Sequence, residues 1–140
     1  MSSLAQKLGI KPGARIRLID APTEVAQQVR DACPPGVEIL EGATELRCEL
    51  VFVWPTRRAE LKATFQQLQA QITPDGAVWA VIPKKQFAEQ RDVDFSWEEL
   101  QAAGLQTDLV DNKVAAISTE DYGTRFVIRK ELRSKYADSR

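Results

Sequence analysis

Two short segments of this chain, Leu50-Val-Phe-Val-Trp54 and Ala77-Val-Trp-Ala-Val-Ile82, are apolar at every position. A strand with one wet face alternates apolar and polar residues. Continuous runs of this length need cover on both faces, as in a central strand of a parallel sheet. Parallel neighbours cannot be joined by a tight turn; they need a crossover, normally a helix. The stretch between the two runs supplies one. Leu61, Phe65, Leu68 and Ile72 recur at i, i+4, i+7 and i+11, one apolar stripe on a helix of about four turns. Thr56 is its expected N-cap, and Thr73-Pro-Asp-Gly76 reads as the turn that follows.

The same alternation begins earlier. Ser3 caps a short helix carrying Leu4 and Leu8 that stops at Gly9, and Arg15–Ile19 follows Pro12-Gly13 as a first strand. Pro22 suits the start of a helix carrying Val25, Val29 and Ala32, which Pro34-Pro35-Gly36 ends. Val37–Leu40 is a second strand. Beyond Ile82 the period is poor until Ser96 and Glu99, spaced as a capping box, open a helix that ends at Gly104. Thr107–Ser118 and Thr124–Arg129 then read as two strands joined by a hairpin through 119–123, and so antiparallel. Residues 1–133 are expected to form one α/β domain, and 134–140 a charged, frayed tail.

Composition excludes several classes of chemistry. Histidine is absent, which removes His-based triads and His metal ligands. Lys and Arg total 19 against 20 acidic residues, so the chain lacks the basic footprint of a nucleic-acid binder. No segment approaches the ~18 apolar residues of a membrane span, and Met1–Ile10 contains no signal-peptide core. Cys33 and Cys48 lack a metal-ligand spacing and read as free thiols of a reduced cytoplasm. No metal site is expected. No catalytic residue is assigned either, because nothing assembles into a nucleophile and its base.

The succession of elements resembles the class I S-adenosylmethionine-dependent methyltransferase fold, whose last strand inserts antiparallel beside its neighbours. Residues 41–49 are too few for a further strand–helix unit, so the chain looks like a shortened version. The expectation is a Rossmann-like three-layer sandwich with a mostly parallel sheet of about six strands, order 2-1-3-4-6-5, the last strand antiparallel. The chain also resembles a family of small bacterial proteins of unknown function. Lys7-Leu-Gly-Ile-Lys-Pro-Gly13, Pro83-Lys-Lys85, Asp111-Asn-Lys-Val114 and Arg129-Lys-Glu-Leu132 carry that likeness. It implies the fold and no activity.

Ligands of open parallel sheets bind at the carboxyl ends of the strands, where the strand order reverses. Here that point falls between strand 1 and the Leu50–Trp54 strand. Asp20 and Thr23 face it from one side, Trp54 and Thr56 from the other. Trp54 can stack on a planar ligand or fill the core. Glu41, 21 residues beyond Asp20, has the spacing of a ribose-binding carboxylate; the competing reading is a solvated side chain. Lys84 and Lys85 end strand 4 and can meet an anion or stand in a solvated loop. These seven residues are the candidate ligand site. Arg57 and Arg58 stand where the helix dipole disfavours cations, a placement that points to a reason beyond the helix or to a surface ion pair. Asp111 and Lys113, two apart in a strand, are expected on one face, and Tyr122 in the hairpin turn.

The first strand–helix turn argues against a cofactor. Ile19-Asp-Ala-Pro-Thr23 has no glycine with which the backbone could turn tightly against a nucleotide, and Pro22 removes an N–H donor. The leading expectation is therefore a cytoplasmic protein with a degenerate methyltransferase-like fold and no cofactor, acting by binding a protein or small molecule, with neither nucleic acid nor membrane as partner. The alternative is a divergent S-adenosylmethionine-dependent methyltransferase. A homodimer paired through the sheet edge left by the lost strand is a third reading.

Overall fold

A computed structural model describes residues 3–41 and 46–137. Helix α1 (Leu4–Leu8) is capped by Ser3 as expected, with Gln6 completing a capping box, and ends on Gly9 in the left-handed region. Strand β1 (Arg15–Ile19), helix α2 (Thr23–Ala32), strands β2 (Glu38–Glu41) and β3 (Cys48–Val53) and helix α3 (Leu61–Gln69) follow. Strand β4 (Ile72–Pro83), helix α4 (Trp97–Leu105), the hairpin β5 (Leu109–Ala116) and β6 (Asp121–Ile128), and helix α5 (Arg133–Ala137) complete it. The sheet order is β2-β1-β3-β4-β6-β5. Pairings among the first four strands are parallel, and β6 is antiparallel to both of its neighbours. That is the expected order.

Both apolar runs lie at the centre, and burial explains their composition. One face of the sheet presents Ile16, Leu18, Leu50, Phe52 and Trp79 to Leu8 of α1 and Val29 of α2. The other packs Val51, Val78 and Phe126 against Leu61 and Phe65 of α3 and Leu100 of α4. Trp79 Nε1 donates to the Leu8 carbonyl at 3.0 Å, which satisfies a buried polar group and ties α1 to the sheet. Glycine lets α4 approach: a Cβ on Gly104 would stand 2.4 Å from Phe126 Cε2.

The local differences from the sequence reading have physical causes. The α3 stripe stops at Leu68, and Ile72 is instead the first residue of β4. Thr56 does not cap α3; a 3-10 turn over Arg58–Glu60 leads into it, and its N-cap Glu60 makes no side-chain cap bond. The turn signal 73–76 is spent on a bulge within β4, since Cys48 pairs with Ile72 and Leu50 already with Ala77. A second bulge between Asp111 and Lys113 separates two residues expected on one face. Asp111 accepts from Gln101 of α4, whereas Lys113 reaches the Lys7 carbonyl of α1. Tyr122 pairs within β6 rather than standing in a turn. The charged tail is helical to Ala137, with Tyr136 buried against Asp108; its last three residues lie outside the described part.

Cys33 and Cys48 are free, and burial pushes both thiols up. Among the described residues no helix is long and apolar enough to cross a membrane.

Candidate site at the carboxyl edge of the sheet

Strand β1 leaves the sheet through Asp20, whose φ of 60° places it in the left-handed region. Aspartate tolerates that conformation better than most residues, so the turn is made with Asp where a nucleotide fold would place Gly. Pro22 then stands at the N-cap of α2 without a side-chain bond, leaving the first N–H groups of the helix without an intrahelical partner. The Trp54 N–H donates to the Ile19 carbonyl at 3.2 Å and stitches the ends of β1 and β3 together.

The alternation along β3 turns the Trp54 side chain toward the α2 face, where it is 5% exposed. Its indole therefore fills core. Nε1 donates to Asp121 Oδ2 at 3.2 Å. Asp121, the first residue of β6, is fully buried. A buried carboxylate needs compensation, and Arg91 provides it with two bonds, Nη1 to Oδ1 at 2.6 Å and Nη2 to Oδ2 at 3.1 Å. The paired carboxylate in turn raises the Arg91 pKa above its already high ordinary value. Trp54, Asp121 and Arg91 thus close the sheet's carboxyl edge with three side chains from separate segments.

The segment 86–95, ambiguous in sequence, is what brings Arg91 there. The Asp94 N–H donates to the Thr56 carbonyl at 3.2 Å, and Asp94 Oδ1 accepts from the Arg58 N–H at 2.6 Å. Arg57 pairs with Asp92 at 2.5 Å and Arg58 with Glu99 at 3.1 Å. Of the two readings of these arginines, the structure shows the surface ion pair, and it places both residues before α3 rather than in its first turn. Asp92 itself has a φ of 58°.

Two hollows flank this closure. One of about 200 Å³ lies on the α3 side, lined by Arg17, Asp20, Trp54, Thr56, Thr64 and Gln67. The other, about 460 Å³, lies between the first turn of α2 and the β5–β6 turn, lined by Thr23, Glu24, Gln28, Arg91, Thr119 and Asp121. The structure therefore gathers Asp20, Trp54 and Thr56 around one hollow and sets Thr23 in the next. Lys85 lines a separate hollow of about 290 Å³ with Phe95, Trp97 and Tyr122. Lys84 is exposed, its backbone N–H bonded to the Glu120 carbonyl at 2.7 Å. Glu41 makes an ion pair with Arg30 of α2 at 2.5 Å.

Arg91 and Asp121 were not legible as site residues. They stand 30 positions apart, in an unpatterned stretch and at the end of a polar turn, and no spacing rule joins them. Among the described residues no group of His, Cys, Asp and Glu could hold a metal ion.

No family model matches the chain, and no curated protein matches it in sequence. Solved structures do resemble it. A chain of the Haloferax volcanii complex of the Trm112 methyltransferase activator with a methyltransferase aligns at TM-score 0.64 and 10% identity, over 89% of this chain and 86% of that one. The N-methyltransferase NodS from Bradyrhizobium japonicum WM9, in complex with S-adenosyl-L-homocysteine, aligns at 0.61 and 8% identity, over 91% and 84%. An S-adenosylmethionine-dependent methyltransferase from Clostridium acetobutylicum aligns at 0.57 and 7% identity, over 89% and 87%. At such identities the likeness is one of fold: this chain has the Rossmann-like fold of methyltransferases.

Proposed function

We propose that this chain is a methyltransferase-fold protein that acts by binding rather than by group transfer, its switch-point crevice closed to an adenosyl cofactor. The observation that carries the reading is the buried Trp54 indole, held by Asp121. It fills the α2 side of the β3 end and leaves at the switch point the hollow of about 200 Å³ on the α3 side. The glycine-free turn at Asp20 and the engagement of Glu41 with Arg30 support it, because both take away groups that a nucleotide would use. The ligand is a small molecule or a protein partner that meets the carboxyl edge around Asp20, Thr23, Trp54 and Thr56, with Lys84 and Lys85 beside it. Calorimetric titration with S-adenosylmethionine and S-adenosylhomocysteine tests it. The reading expects no saturable heat. Micromolar binding that Glu41→Ala weakens would replace it.

The second reading is a divergent S-adenosylmethionine-dependent methyltransferase. One feature favours it beside the fold likeness: the hollow of about 460 Å³ against the uncapped first turn of α2. Helix N-termini with free N–H groups suit anionic ligands, a carboxylate among them. In that reading Thr23 and Arg91 border the cofactor, and Trp54 must swing out to admit it. Transfer of a radiolabelled methyl group to any acceptor would establish it.

A further inference from the structure

Away from the carboxyl edge, Arg125 of β6 is a half-buried guanidinium with no carboxylate partner among the described residues. It faces the α1 side of the sheet, opposite Trp79 of β4. Its one side-chain bond goes to a neutral amide, Asn112 Oδ1, at 3.3 Å. Burial lowers its pKa, and the charge of Arg133 lowers it further. A partly desolvated cation of this kind is costly unless an anion meets it.

Of the two hollows that Arg125 borders, one is lined mainly by cations and carboxamides. Arg125 lines a cleft of about 250 Å³ with Gln6, Lys7, Gly9, Asn112 and Lys113, and among the described residues no carboxylate lines it. The β5 bulge creates this wall by turning Lys113 away from the face of Asp111 and onto α1. Lys113 Nζ donates to the Lys7 carbonyl at 2.6 Å, which offsets the negative end of α1 and removes its objection to an anion. Because Asn112 Oδ1 accepts from Arg125, its Nδ2 is left as a donor. Arg125 also borders an adjoining hollow of about 320 Å³, where Glu49 and Asp75 stand beside Lys11 and Thr73, so the acidic side chains lie in that hollow and not in the cleft. Two of the sequence stretches singled out above, Lys7–Gly13 and Asp111–Val114, therefore converge on one side chain.

We propose that this cleft binds a phosphate group. A single carboxylate would be matched by Arg125 alone, whereas Lys7, Lys113 and Arg125 together suit the dianionic charge and several acceptor oxygens of a phosphate. The site is independent of the carboxyl edge, so it stands whether or not that edge admits a cofactor.

NMR-monitored titration with inorganic phosphate, against chloride at matched ionic strength, tests the assignment. Saturable shifts at Gly9, Asn112 and the Arg125 side chain are expected. Arg125→Gln and, independently, the exposed Lys113→Met should weaken binding roughly tenfold or more, the cost of one charge-assisted bond. Lys62→Met, on the exposed face of α3, should leave it unchanged. A parallel titration with a sugar phosphate separates two sources of the group: tighter binding than phosphate assigns an organic phosphate, equal binding the free ion. Shifts that merely follow ionic strength, or folded Arg125→Gln and Lys113→Met proteins that titrate like wild type, would overturn the proposal.

Discussion

Trp54 and Asp121 lie 67 positions apart, yet the indole of one donates to the carboxylate of the other at 3.2 Å in the interior of the protein. Arg91 holds the same carboxylate through two further bonds. Remove the arginine and a buried charge keeps one neutral donor. Arg91→Ala should therefore destabilise the protein by about 2–3 kcal/mol in urea unfolding, toward the lower end of what breaking a buried pair costs because Arg91 is partly exposed. Arg57→Ala, which breaks an ion pair between two exposed side chains, should leave the midpoint nearly unmoved. Equal losses in the two variants would refute the distinction.

Trp54→Phe keeps the aromatic filling but withdraws the N–H from Asp121. A loss of about 1.5–3 kcal/mol is expected, the worth of a hydrogen bond to a charged group. Trp54→Ala should cost roughly 3–5 kcal/mol, as truncations of buried aromatics do. A Trp54→Ala protein as stable as Trp54→Phe would mean that the indole is not packed as described.

Gly104→Ala tests the approach of α4 to the sheet. Alanine ordinarily stabilises a helix interior relative to glycine by about 1 kcal/mol. Here its Cβ would stand 2.4 Å from the Phe126 ring, so overpacking should win and lower the melting temperature. A rise would show that the helix has room to move.

Tyr136 and Asp108 give the fold a pH signature at both extremes. The Tyr136 hydroxyl, with Lys135, holds the Asp108 carboxyl below its ordinary 3.8. Stability from that contact is complete above the unfolded value and is lost as pH falls through the folded one. Burial and the Asp108 bond push Tyr136 from 10.0 up to about 12. Its contribution is complete below pH 10.0 and is lost as pH rises toward about 12. Tyr136→Phe should flatten both limbs of a chemical-denaturation series across pH. Limbs that survive the substitution would belong to other groups.

Sheet order was legible because it follows from few signals. Two uninterrupted apolar runs had to be central, one crossover helix had to join them, and the Ser96–Glu99 spacing marked α4 before the hairpin. What escaped the sequence was set by long-range contacts. Thr73-Pro-Asp-Gly76 carries the chemistry of a turn, but pairing with Cys48 and Leu50 absorbs it as a bulge. Period 2 placed Asp111 and Lys113 on one face, and a single bulged residue separated them. The tail was read as frayed from its charge, which cannot reveal that Tyr136 finds a buried partner. At the carboxyl edge, position along the strands brought Asp20, Trp54 and Thr56 to one place. Only the folded loop 86–95 could bring Arg91 to Asp121.

The most direct test of the closed crevice is the indole Nε1–H signal of Trp54, followed by NMR while S-adenosylmethionine is added. The account predicts a signal slow to exchange with solvent and unmoved through millimolar cofactor. A saturable shift of that signal, together with shifts at Asp20 and Thr23, would contradict it: the crevice opens, and the chain holds the cofactor of the enzymes whose fold it shares.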